Sequence, residues 1–312
     1  MSRILITGAN GFIGSNLTRK LINSENHIDI LTRSESDLWR INDISSECNI
    51  HHVDLIKFDN VESIINKINP EIVFHCAGHG IYPEQKDSKS IFSTNILGTL
   101  NLLLAIRKNN KLKRFVNLGS FFENTTDNEN DSNLRKKLEP YTISKIIQTS
   151  LVRKFYTEDN LPVVTLRVFT PYGRFDSPGR LISDIMTAII KNRPLEIGSK
   201  TSMRDFIHID DVIRALEVAG KQPNIEGEIF DVGTGKGITV EEIVKKTEEL
   251  TMHNCNVLWN DEKIREFDKR DSHILLNSKN NKKFNWKPEI SINQGIMKTY
   301  EWYKENINLY NI

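Results

Sequence analysis

The chain is poor in the features that mark several classes of protein. It has only three cysteines, Cys48, Cys76 and Cys255, in 312 residues. An odd number at irregular spacing offers neither a disulfide framework nor a thiolate metal site, and it reads as the reduced thiols of a cytoplasmic protein. Charge of one sign is lacking too: 42 Lys and Arg stand against 41 Asp and Glu, a net charge of +1. That excludes the broad positive field that draws proteins to nucleic acid or acidic membranes, and leaves local binding of a small anion open. No apolar run approaches the ~20 residues of a membrane span. The apolar start, Met1 to Asn10, is too short for the core of a signal peptide. No internal repeat is present. The single low-complexity patch, Glu123 to Lys137, is rich in Asn, Asp, Thr and Ser, and reads as a solvated loop, with a lid as the alternative.

What remains is an ordinary globular composition, 38% hydrophobic and 27% charged, long enough for one large domain or two joined ones. In the first half, short β-rich runs alternate with helical patterns. Strands are expected at 3–7, 27–31, 49–53, 71–77, 114–118 and 162–169. Helices are expected at 12–24, 61–68, 91–108 and 141–157. Such alternation implies a parallel sheet covered by helices on both faces. After Gly173 the rhythm changes. Helices fit 181–191, 210–220 and 240–250, and short strands fit 195–198 and 229–232.

Several groups in this frame carry chemistry. Gly8-Ala9-Asn10-Gly11-Phe12-Ile13-Gly14 follows the first strand and opens the first helix. Glycines at this place let the backbone approach a pyrophosphate, whose charge sits at the helix N-terminus. After the second strand comes Thr32-Arg33-Ser34, where an acid would hold the ribose hydroxyls of NAD. An Arg there accommodates the 2′-phosphate of NADP, so NADP(H) is the expected cofactor, with NAD(H) as the alternative. Asp54 and Leu55 follow the third strand, where a carboxylate can reach an adenine amino group. Cys76, Ala77 and Gly78 end the fourth, where a cofactor passes close to the backbone. Cys76 itself reads as a small packing residue, and His75 as a satisfied core histidine.

Tyr141 and Lys145 stand at i and i+4 on one helix face. A phenol ionises near pH 10, and one positive charge at ~4 Å stabilises its phenolate by about 4 kcal/mol at an effective dielectric of ~20. The pair therefore suits proton transfer to or from a carbonyl oxygen. Ser120, at the end of the fifth strand, can hydrogen-bond that oxygen. Asn95, inside the long helix, can hold a water or a backbone group.

Taken in order, Gly8-x-x-Gly11-x-x-Gly14, Asp54, Ser120 and Tyr141-x-x-x-Lys145 resemble the extended short-chain dehydrogenase/reductase family of nucleotide-sugar epimerases, dehydratases and reductases. Leu166 to Gly173, Met203-Arg-Asp-Phe-Ile-His-Ile-Asp-Asp-Val212 and Asn285-Trp-Lys-Pro288 are similar to its later segments. The resemblance implies a doubly wound Rossmann sheet over residues 1–170, with segments near 205–235 returning to it. A smaller, mostly C-terminal α/β substrate domain over 171–312 is implied too, along with a homodimer through the helices starting near Ile91 and Tyr141. It also implies that Ser120, Tyr141 and Lys145 are catalytic, that Phe121 lines the substrate site, and that Arg204 and Arg270, with Arg265 behind it, hold the diphosphate of a nucleotide sugar.

The chain departs from the pattern at Phe121-Phe122, where 4,6-dehydratases carry Asp-Glu, at Glu123-Asn124-Thr125 in place of Val-Tyr-Gly, and at Thr170 in place of Asn. The Ser120-Phe121-Phe122 run, the loop to Pro140-Tyr141-x-x-Ser144-Lys145 and Arg270-Asp271 look most like the subgroup that reduces 4-keto-6-deoxy sugars, to which CDP-abequose and CDP-paratose synthases belong. The expected reaction is therefore NADPH-dependent reduction of a nucleotide-linked 4-keto-6-deoxyhexose. A 4-epimerase of the UDP-glucose type, a dehydratase and a cofactor-sensing regulator are the rivals. No metal, nucleic-acid or membrane partner is expected.

Overall fold

The computed structural model describes residues 2–22, 25–82, 84–126, 138–260, 262 and 282–310. In chain order the elements used below are β1 (Arg3–Thr7), α1 (Phe12–Ile22), β2 (His27–Thr32), β3 (Asn49–His52), α2 (Phe58–Ile68), β4 (Ile72–His75), α3 (Ser88–Ile106), β5 (Arg114–Ser120), α4 (Pro140–Asp159), β6 (Val163–Val168), β7 (Thr170–Tyr172), α5 (Leu181–Ile190), β8 (Leu195–Ile197), β9 (Met203–His208), α6 (Ile209–Lys221), β10 (Ile229–Val232), β11 (Gly237–Thr239), α7 (Val240–Thr251), β12 (Val257–Trp259) and α8 (Ile292–Asn306). The chain forms two compact units. One is Met1–Val168, Ile213–Asp231 and Lys279–Trp286; the other is Phe169–Val212, Val232–Ser278 and Lys287–Ile312.

The first unit is built on a seven-stranded sheet in the order β10-β6-β5-β4-β1-β2-β3. The pairs β1–β2, β1–β4, β2–β3, β4–β5 and β5–β6 are parallel. Strands covered on both faces read as unbroken apolar runs, and Ile4, Leu5 and Ile6 are buried in succession. One continuous core joins Leu5, Val73, Leu102, Phe115, Val152 and Phe155. The helix α2 turns Val61, Ile65 and Ile68 inward at helical spacing. It ends at Asn69, whose left-handed backbone closes an N–H bond to the Ile65 carbonyl. After β3 at one edge, the chain crosses to β4 beside β1. That reversal of winding is the place where doubly wound sheets bind ligands, outside the carboxyl ends of the strands.

The helix α3 corrects the reading that no stretch is long and apolar enough to span a membrane. Ser88–Ile106 is one helix of 19 residues with the length and composition of a span. Half of it is buried within the protein, and Ile91, Leu102, Leu103 and Ile106 belong to the core, which is how an interior helix of a globular protein also reads. Asp87 caps it, accepting the Ser90 N–H at 2.9 Å. Its middle, Ser93–Leu97, is a π-turn, an insertion often found where a helix serves a site.

The second unit has a three-stranded sheet, β11-β9-β7, and a two-stranded one, β12-β8. In the first of these, β7 runs parallel to β9 and β11 antiparallel. The helices α7 and α8 both start with capping boxes, at Thr239/Glu242 and Ser291/Gln294. Gly295 lets α8 come close to the sheet, since a Cβ there would lie 2.0 Å from the Tyr172 hydroxyl.

Candidate active site

The turn between β1 and α1 needs its glycines for different reasons. Gly8 has φ +68°, and a Cβ on it would fall 2.6 Å from the Ala77 amide nitrogen. A Cβ on Gly14 would fall 2.2 Å from the Gly8 carbonyl oxygen, so the third glycine sets how tightly helix meets strand. The Gly11 N–H closes the turn on the Gly8 carbonyl at 3.0 Å. Phe12 is buried and opens a helix with no acid in its first turn. The Asn10 side chain donates to the Asp37 carbonyl at 3.3 Å, and Ile13 is half-buried. Glycine-lined backbone and an acid-free helix N-terminus fit the pyrophosphate of a dinucleotide.

Around this turn the other strand ends assemble. Arg33 is exposed and its Nε stands 3.4 Å from a Glu35 carboxylate oxygen, so the end of β2 offers both a cation and an acid. Asp54 accepts the Ile56 N–H at 3.2 Å, and Leu55 packs under α3 beside Gly98. The amides of Cys76 and Ala77 hydrogen-bond to Thr7, the first to its carbonyl and the second to its hydroxyl. Gly78 is exposed. Burial pushes the Cys76 thiol up to about 12, so it is no thiolate nucleophile. His75 is fully buried between the Thr7 and Thr99 hydroxyls at 2.7 and 2.8 Å, and burial pushes its imidazole down to about 3. It is a neutral core histidine.

Asn95 holds backbone. Its amide oxygen accepts the His79 N–H, and its NH2 donates to the His79 carbonyl and to Ser144 Oγ, all at 2.8 Å. Ser144 Oγ in turn donates to the Tyr141 carbonyl at 2.7 Å. One buried side chain in the π-turn thus joins the loop after β4 to the first turn of α4.

The residues expected to transfer a proton gather at the end of β5. Ser120 is buried, and its amide donates to Glu123 Oε1 at 2.7 Å. Phe121 and Phe122 stack at 4.2 Å, and the rings of Phe122 and Tyr141 meet in a T at 6.0 Å and 89°. The Phe122 N–H reaches Ser120 Oγ at 3.4 Å. Contacts therefore run from Ser120 through Phe122 to Tyr141. Lys145 is buried, and its Nζ donates to the Leu118 carbonyl at 2.6 Å and to Gln148 Oε1 at 2.5 Å. Burial pushes its ammonium down to about 8, against the pull of Glu123. Gln148 continues to Asn117 Oδ1 at 2.8 Å. Sequence reasoning missed Gln148 and Glu123. Gln148 lies at i+3 from Lys145, a spacing that signals a shared helix face; Glu123 gives no signal.

In the second unit Arg204 lies half-buried on β9, opposite Ile238 of β11. Its neighbours are structural. Asp205 accepts the amides of Thr234 and Gly235 at 2.8 Å, and Asp211 accepts those of Glu289 and Ile290. Thr170 opens β7. Arg265, Arg270 and residues 127–137 of the expected loop or lid lie outside the described residues.

A glycine cradle at the switch point of a doubly wound sheet, with Ser at the end of β5 and Tyr and Lys on α4, defines a nicotinamide-dependent enzyme class. The chain belongs to the NAD dependent epimerase/dehydratase family, which residues 4–233 match. It is 28% identical over 329 residues to a UDP-glucuronate 4-epimerase of Thermodesulfobacterium geofontis, covering 99% of this chain and 98% of the relative. It is 28% identical over 337 residues to a dTDP-glucose 4,6-dehydratase of Haemophilus influenzae, covering 98% and 99%. The crystal structure of UDP-glucose 4-epimerase from Thermotoga maritima with UDP-glucose superposes with a TM-score of 0.84 at 25% identity, over 97% of this chain and 99% of that one.

Proposed function

We propose that the chain is a nucleotide-sugar 4-epimerase, inverting C4 of a UDP- or dTDP-linked hexose with no net redox change. The observation that carries this reading is the end of β5. Ser120, Tyr141 and Lys145 stand there together, while stacked Phe121 and Phe122 occupy the positions of the acid pair that a 4,6-dehydratase uses. Removal of water needs a proton donor and acceptor that two phenyl rings cannot supply. The epimerase relatives, matched over nearly the full length of both chains, support it further.

The Gly8–Gly14 turn would hold the pyrophosphate of NAD, and the cofactor would supply the acceptor for a hydride from C4 and the donor that returns it to the opposite face. Tyr141 takes the proton of the 4-hydroxyl and gives it back to the opposite epimer. Ser120 holds that oxygen throughout by a hydrogen bond. The Lys145 ammonium favours the phenolate of Tyr141 during the proton transfer and binds the nicotinamide ribose. Asn95 keeps the first turn of α4 in register with the β4 loop. Arg204 is assigned to the diphosphate, for which a guanidinium fork is suited. A cytoplasmic homodimer belongs to the same proposal.

Mass spectrometry of nucleotides released by denaturing the purified protein tests it: NAD and a nucleotide hexose are expected. A second reading is NADPH-dependent reduction of a 4-keto-6-deoxyhexose, favoured by one observation, the exposed Arg33 at the end of β2. Under that reading NADP is released instead, and Arg33→Ala weakens NADPH binding by about 1.5–3 kcal/mol. A regulator that only senses cofactor would have no use for the Ser120, Tyr141 and Lys145 set.

A further inference from the structure

Glu123 stands where the family pattern has no acid, and its surroundings are those of a working group. It is buried in the turn Phe121–Thr126 that follows β5. Oε1 accepts the Ser120 N–H at 2.7 Å. The space for the carboxylate exists because residue 119 is glycine. A Cβ at Gly119 would fall 2.8 Å from Glu123 Oε1, 3.0 Å from Thr165 Cγ2 and 3.1 Å from Arg167 Cγ. Two cations act on this carboxylate, Lys145 from α4 and Arg167 from β6. Arg167 is already engaged, since its Nε and Nη2 hold both oxygens of Asp231 at 2.8 and 3.1 Å. That leaves Lys145 as the cation whose charge Glu123 balances.

Seen from Lys145 the same pairing holds. Its Nζ is fixed on the Leu118 carbonyl, two residues before Ser120. Among the described residues the titratable groups about it are Glu123 from the turn, Cys76 and His75 from the end of β4, and Tyr141 one turn earlier on α4. The thiol and the imidazole are both neutral at pH 7, because burial pushes the first up to about 12 and the second down to about 3. Burial also raises the Glu123 carboxyl, and the Lys145 charge, the Ser120 N–H, the Thr149 side chain and the Arg167 charge, in that order, oppose the rise.

We propose that Glu123 is a positioning residue of the active site: it fixes the backbone of Ser120 and supplies the counter-charge that keeps the buried Lys145 protonated. This role rests on the nicotinamide site proposed above, and deepens it. Lys145 reaches the ribose and Tyr141 as an ammonium, so loss of its proton weakens cofactor binding. Glu123 therefore sets how far toward alkaline pH the enzyme holds its cofactor.

The test is the affinity for NAD alone, measured by titration calorimetry from pH 6 to pH 9, which needs no knowledge of the sugar. E123Q keeps the acceptor for the Ser120 amide and removes the charge. It should match the wild type within about twofold at pH 6, and bind NAD about tenfold more weakly at pH 9, as a shift of about one unit in the Lys145 pKa requires. E123D restores a carboxylate and should return the alkaline fall to the wild-type pH. K145R carries a charge throughout this range and should bind NAD with no alkaline fall, an outcome independent of whether E123Q folds. A merely structural Glu123 would lower the melting temperature of E123Q and leave its pH dependence unchanged. That result, or E123D behaving like E123Q, or K145R falling like the wild type, overturns the proposal. A wild-type chain that binds no nicotinamide cofactor at pH 6 overturns the proposed function instead, and this role with it.

Discussion

Lys145 Nζ lies 2.6 Å from the carbonyl oxygen of Leu118, tying the first turns of α4 to the end of β5. The two elements that carry the proposed proton-transfer groups are thus joined by a charged side chain taken almost wholly out of water. Burial brings the Lys145 pKa down from 10.5 to about 8. Between those values the unfolded chain binds more protons at this site than the folded one, so the Lys145 contribution to stability rises with pH across that window. Comparing the melting temperature of wild type and Lys145→Met at pH 7 and pH 10 checks this. The wild type should gain relative to the variant on going to pH 10, and an unchanged difference would mean that Lys145 is not buried as a charge.

Gly8→Ala should cost about 1–3 kcal/mol, the usual range for forcing a side chain into a left-handed backbone, and the contact with the β4 end adds to it. NAD binding should fall in parallel. Gly179→Ala is the control, because Gly179 shares the positive φ but has nothing within 4 Å of an added Cβ. If both variants bind NAD like the wild type, the Gly8 turn is not the cofactor cradle.

Asn95→Ala strands the His79 N–H and carbonyl and removes the donor to Ser144 Oγ, which keeps its bond to the Tyr141 carbonyl. Leaving a buried polar group unsatisfied costs about 1–3 kcal/mol. Denaturant titration should show a loss in that range, together with reduced turnover from a displaced Tyr141. Full stability would show that the loop after β4 finds other partners.

The sheet was legible because parallel strands buried on both faces are rich in apolar residues, as in Ile4-Leu5-Ile6, and in β2 only Asp29 breaks the run from Ile28 to Leu31. The glycine turn and Tyr141-x-x-x-Lys145 were legible because backbone approach and helical spacing leave their mark on residue type. The helix α8 was not, because the positions it buries include Gly295, Thr299 and Tyr303 beside Ile296, and an apolar period does not stand out. The three-residue strands β7, β8, β11 and β12 are too short to show alternation, and only β8 was expected. The Arg33–Glu35 pair lies in a loop, where no period relates the partners. Glu123 was passed over as a departure from a pattern, since its partners, Lys145 and Arg167, are distant in sequence.

Tyr141→Phe should lower turnover by ~10²-fold or more, while NAD affinity stays near the wild-type value. Near-normal turnover in this variant would remove Tyr141 from the proton transfer.

Epimerisation and reduction differ in stoichiometry. Purified protein is incubated in turn with UDP-glucose, UDP-glucuronate and dTDP-glucose in the presence of NAD, with C4 configuration followed by NMR and reduced nicotinamide by absorbance. An epimerase should equilibrate one of these sugars with its C4 epimer while the absorbance of added cofactor does not change. Product that forms only from a 4-keto sugar, with one reduced nicotinamide consumed per molecule, would contradict it.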